Sequence, residues 1–166
     1  MKKISVTIIV LTIFSHCLCL KANNTGDLEL EIHKKVDSLM SLMTLDEKIG
    51  QTIMYSGDWN KTGPYVTSDN MKFLKEGNLG SMLNVYTAEG TKKLQKIAVE
   101  ETRLGIPLLF GYDVIHGFKT IFPINLGIAS TWDLEDVKEV ARISAEEASA
   151  SGVHWTFAPM IDIARD

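Results

Sequence analysis

Short apolar runs alternate with long helical stretches from Leu74 onward, and few architectures accommodate that order. Segments 79–85 (LGSMLNV), 107–112 (PLLFGY) and 154–158 (HWTFA) read as strands, and 88–103 and 133–151 as helices. The first helix sets Leu94, Ile97 and Ala98 on one face. The second opens on Asp133, whose carboxylate suits a helix N-terminus, and stops at Gly152. Strands apolar along their length, separated by crossover helices, predict a parallel sheet covered on both faces.

Such a sheet is either open and doubly wound or closed into a barrel. Gly111, Gly117 and Gly127 lack the spacing of a dinucleotide-binding turn, so a barrel is expected. An eight-stranded barrel of this kind takes about 250 residues, whereas this chain has 166. The expected fold is α/β, a partial (β/α)8 TIM-type barrel holding about the first three strands behind N-terminal helices. The chain therefore reads as truncated.

Ahead of the strands, Leu28, Ile32, Val36, Leu39, Leu42 and Met43 recur at helical spacing. Thr44 with Glu47 has the capping-box pattern and opens a second helix that carries Ile49, Ile53 and Met54. Segment 55–68, with Gly57, Gly63 and Pro64, reads as a loop. The first 19 residues are of another kind. Lys2 and Lys3 precede an apolar run over 4–14, and Cys17 and Cys19 occupy the small-residue places of a cleavage site. The run is shorter than the roughly twenty apolar residues a membrane span needs. An exported chain with a signal peptide over 1–19 and a domain over 27–166 is expected, in the periplasm or secreted, with no stable membrane span. Cleavage after Cys19 leaves no cysteine, and hence neither a disulfide framework nor a thiolate metal site. The formal charge of −4 and the lack of basic blocks argue against nucleic acid.

Active sites of βα barrels lie at the C-terminal ends of the strands, which here means Asn84, Asp113 and the residues after Pro159. Asp113 directly follows the strand in GYDVIHGF and is the leading candidate. A carboxylate there can accept hydrogen bonds from two adjacent sugar hydroxyls; it reads equally as a cap on the loop that follows. His116, alone beside a glycine, reads as a loop anchor rather than a metal ligand, and no metal or cofactor is expected. Among the tryptophans, Trp155 is expected in the core and Trp132 as a seal at the start of its helix, while Trp59 is open to either a core or a ligand-facing role. Asp162, Arg165 and Asp166 suggest an ion pair under the pocket floor. His33 and His154 call for no more than structural roles.

The blocks TLDEKIGQ, LGIPLLFGYDVIHGF, TIFPINLGIASTWD and HWTFAPMIDIARD, in that order over 37–166, resemble the N-terminal domain of glycoside hydrolase family 3. The resemblance implies a barrel followed by a second α/β domain, and exo-acting hydrolysis of β-linked sugars with retention. It implies that Asp113 binds hydroxyls of the cleaved sugar, with a β-linked glucoside or oligosaccharide as substrate. The family's nucleophile and acid/base carboxylates would fall beyond Asp166, so no catalytic residue is assigned and the chain by itself is expected to be inactive. VIHG resembles the glucosidase and xylosidase branch rather than the single-domain N-acetylglucosaminidases. A secreted sugar-binding fragment, or one that needs a partner chain, is the competing reading, and a homo-oligomer of the complete protein stays open.

Overall fold

The computed structural model describes residues 26–57 and 69–159. The signal segment 1–19, Trp59, Asp162, Arg165 and Asp166 lie outside the described residues. Two compact units meet between Met43 and Thr44. The first unit contributes one helix, α1, over 26–42, in which Leu28, Ile32 and Val36 are exposed.

In the second unit the order is α2 (Leu45–Gly50), β1 (Met54–Ser56), α3 (Asn70–Lys75), β2 (Ser81–Leu83), α4 (Ala88–Glu100), β3 (Leu109–Tyr112), α5 (Asn125–Ala129), α6 (Leu134–Ala150) and β4 (Trp155–Thr156). The strands form one sheet in the order β1-β2-β3-β4, and every pair is parallel. This is the expected βα order, with four strands where about three were expected. The additional strand is β1. Met54 and Tyr55, assigned from spacing to a helix end and a loop, instead pair with Ser81 and Met82. At the end of α2 a Cβ on Gly50 would lie 2.6 Å from Asn78 Cα, so only glycine fits there. Two short helices, α3 and α5, also occupy segments without a helical reading.

Register divides the sheet into two faces. Tyr55, Met82 and Phe110 share one, and it is covered. Met82 and Phe110 join Leu74, Leu79, Val85, Leu94, Ile97, Ala98 and Leu108 in the main core, with Tyr55 and Phe73 against it. Among the described residues the face carrying Met54, Leu83, Leu109 and Trp155 has no such cover: Leu109 is 53% and Trp155 47% exposed. The expectation that Trp155 belongs to the core is therefore corrected. Its neighbour in space is Phe157, with ring centroids 4.7 Å apart. In a closed barrel that face is filled by side chains from all eight strands, and four strands leave it open.

The capping box is formed as expected. Thr44 Oγ1 accepts from the Glu47 N–H, and the Glu47 carboxylate accepts from the Thr44 N–H at 2.8 Å. The same carboxylate takes Arg103 Nε at 2.9 Å and Nη2 at 2.5 Å, which ties α2 to the segment just after α4, 56 positions away in sequence. Arg103, with the capping N–H, holds the Glu47 carboxyl at about 2, against an ordinary 4.5. A carboxyl lowered by folding stabilises the fold above its unfolded value, and that contribution disappears as pH falls toward the folded one. Acid titration should thus show a stability loss between pH about 4.5 and about 2 that Glu47→Gln flattens, read as melting temperature against pH.

Candidate functional site

The four strands end on one side of the sheet, and the first two ends are stitched together there. Asn70 Nδ2 donates to the Ser56 carbonyl at 2.7 Å, and Asn84 Nδ2 donates to Ser56 Oγ at 3.2 Å. Asn84 takes a left-handed φ of 63°, which asparagine tolerates better than most residues, and its N–H reaches the Gly111 carbonyl. Asn84, a strand-end candidate by sequence, thus has a bracing role here.

At the end of β3 the chain reverses within three residues. The Val114 N–H donates to the Tyr112 carbonyl at 3.1 Å, so Asp113 is the central residue of a γ-turn. Its neighbours point inward. Tyr112 packs edge-on against Phe118, with centroids 5.6 Å apart and planes at 84°, and lies beside Tyr86. Burial pushes the Tyr112 phenol up, with the charges of Tyr86 and Asp113 adding to the rise. Val114 is buried with Ala148 and Val153. Between these anchors Asp113 is exposed, and among the described residues its carboxylate accepts no hydrogen bond. The loop-capping reading required such a bond.

The segment after Asp113 is built as a closed loop. The Phe122 N–H donates to the His116 carbonyl at 2.8 Å, and His116 Nδ1 lies 2.9 Å from the Phe122 carbonyl. A carbonyl can only accept, so that nitrogen carries the proton and His116 is the expected loop anchor. Gly117 bridges to Ile121 with φ of +116°, and a Cβ there would run into the Thr120 carbonyl oxygen, so only glycine fits the bend.

One group that sequence reading missed is Glu147 on α6. Its Oε2 accepts from the N–H groups of Lys119 and Thr120, both at 2.8 Å, and Oε1 accepts from Thr120 Oγ1 at 2.7 Å. The Thr120 hydroxyl, with these two N–H groups, holds the Glu147 carboxyl below its ordinary value. The separation of 27 positions between Thr120 and Glu147 leaves no local pattern to read.

Trp132 does not seal its helix as expected: it has a left-handed φ of 56° and is 94% exposed. Asp133 supplies the cap instead, accepting from the Glu135 N–H at 2.8 Å. His154 has a structural role, its Nδ1 accepting from the Phe110 N–H at 3.2 Å. Among the described residues no helix is long and apolar enough to cross a membrane. No group of three or more His, Cys, Asp or Glu side chains among them could hold a metal ion.

Comparison with known proteins places this frame. A periplasmic beta-glucosidase of Salmonella typhimurium is 41% identical over 132 residues, covering 79% of this chain and 17% of that protein. The crystal structure of a beta-glucosidase from Listeria innocua in complex with isofagomine superposes with a TM-score of 0.70 at 44% identity, over 80% of this chain and 19% of that one. A periplasmic beta-glucosidase/beta-xylosidase of Dickeya chrysanthemi is 28% identical over 172 residues, covering 88% of this chain and 26% of that protein. The chain thus spans less than a third of the length of each. The model of the glycosyl hydrolase family 3 N terminal domain matches residues 44–166, starting where the second compact unit starts. A four-stranded parallel sheet in βα order, a turn that presents Asp113 at the end of its third strand, and a family match over most of the chain lead to one conclusion: the chain belongs to glycosyl hydrolase family 3, as part of its N-terminal domain.

Proposed function

We propose that this chain forms the opening, sugar-holding part of an exported, retaining β-glycosidase that removes β-linked glucose from non-reducing ends. The observation that carries the reading is the Asp113 carboxylate, exposed at the apex of the turn after β3 and without a hydrogen bond among the described residues. Two such oxygens suit adjacent hydroxyls of a pyranose, and the relatives are named as beta-glucosidases. Retaining hydrolysis takes two carboxyl groups about 5 Å apart, and neither is assigned to this chain; both belong to the longer polypeptide that the relatives' length implies. The domain assigned here runs over 27–166. The 1–19 segment and the periplasmic relatives support export.

The Dickeya relative, named as both glucosidase and xylosidase, favours a second reading in which xylosides are taken. Initial rates on aryl β-glucoside and aryl β-xyloside, measured on a polypeptide extended to the relatives' length, decide between them. A missing methylene alone changes kcat/KM by about tenfold to two-hundredfold, and a lost hydrogen-bonded hydroxyl by more, so the glucoside is expected to be the faster by at least about tenfold. Faster xyloside turnover would support the second reading, and no release from either would overturn both. The 166-residue chain alone should release nothing.

A further inference from the structure

We infer that Glu147 is a positioning residue for Asp113, acting through the loop that joins them; this rests on the sugar-binding reading of Asp113. No hydrogen bond among the described residues aims the Asp113 carboxylate, so among them its position rests on where the backbone of the turn is held. That backbone is held on its strand side by the Tyr112–Phe118 ring contact and on its loop side by buried Val114. Beyond Val114 the loop folds back on itself through the His116–Phe122 pair and the Gly117–Ile121 bridge. Besides the Phe118 packing, hydrogen bonds from the loop tip to α6 run to Glu147, whose two oxygens take three donors from Lys119 and Thr120. Its neighbour Ala148 is buried in one cluster with Val114 and Val153, so the same turn of α6 that holds the loop's tip also lies at its root.

Glu147 touches no sugar in this account. Its carboxylate is occupied by the loop, and its contribution is to keep the γ-turn, and with it Asp113, in one place. Displacing a sugar-holding group by about 1 Å costs about a hundredfold in turnover, so Glu147→Ala should lower kcat/KM of the complete polypeptide by about that factor. A glutamine can keep the arrangement: its carbonyl oxygen accepts the two N–H groups, and its amide donates to Thr120 Oγ1, which also accepts. Glu147→Gln should therefore restore most of the activity.

The discriminating experiment is a double-mutant cycle on an aryl β-glucoside. If Glu147 acts through Asp113, adding Glu147→Ala to Asp113→Ala produces no further loss. If its role is general stability, the two losses multiply. Should Glu147→Ala fold poorly, Thr120→Val, which removes one donor and keeps the backbone N–H groups, enters the same cycle with a smaller expected loss. Multiplying losses, or a Glu147→Ala enzyme as fast as the parent, would overturn the inference while leaving the sugar-binding reading intact. An Asp113→Ala enzyme with unchanged turnover would remove that reading, and this one with it.

Discussion

Asp113→Ala in the complete polypeptide is expected to reduce kcat/KM for a β-glucoside by about a hundredfold to ten-thousandfold while leaving thermal stability nearly unchanged. The magnitude follows from two hydrogen bonds between a charged carboxylate and sugar hydroxyls, worth about 1.5–3 kcal/mol each, with about 1.36 kcal/mol per tenfold in rate. The stability half follows from the geometry. Asp113 is exposed, and its carboxylate makes no hydrogen bond among the described residues, so its removal should cost no more than about 0.5 kcal/mol, as at other surface positions. Asp113→Asn, which keeps one acceptor oxygen, should fall between the two. Steady-state kinetics beside a melting curve checks both halves. An equal loss of stability and activity would mean that Asp113 holds the loop rather than the sugar.

The largest stability effect is expected at Phe110, which is 1% exposed in the middle of β3. Its ring sits in the core with Leu94, Ile97 and Leu108, and its backbone is gripped by the residue just before β4: the His154 N–H donates to its carbonyl at 2.9 Å and His154 Nδ1 accepts from its N–H. Phe110→Ala leaves a large cavity that this backbone clamp prevents from collapsing. Substitutions of this kind cost about 3–5 kcal/mol. Denaturant unfolding should show a lower midpoint with an unchanged slope. A loss under about 1 kcal/mol would show that the site collapses freely, contrary to the clamped geometry.

What the sequence disclosed was what local rules govern. The Thr44–Glu47 capping box is a three-residue pattern, and it stands as read. Strands β2 and β3 lie within apolar runs, and α4 and α6 have the length and caps that make helices legible. Strand β1 was missed because three residues show no alternation, while Ile49, Ile53 and Met54 happen to continue the helical spacing of α2. Gly50, at the end of that helix, must be glycine because a Cβ would meet Asn78, a long-range reason no local pattern contains. The α5 helix has five residues and no side-chain cap, so nothing announces it.

The site divides the same way. The strand-end place of Asp113 was legible because it directly follows an apolar strand, and the loop-anchoring of His116 because its neighbour Gly117 marks a bend. Glu147 was not, since its partners lie across a loop and a helix. Trp155 was misplaced because an apolar strand residue reads as core only if both faces of the sheet are covered. Here its face is the one that carries exposed Leu109.

The most direct test is a crystal structure of the complete polypeptide with a glucose-configured inhibitor. The account predicts both Asp113 carboxylate oxygens within about 3 Å of adjacent ring hydroxyls, with the 113–122 loop still fastened to Glu147. A sugar seated elsewhere, or a hydroxyl pattern met by other side chains while Asp113 stays in solvent, would contradict it.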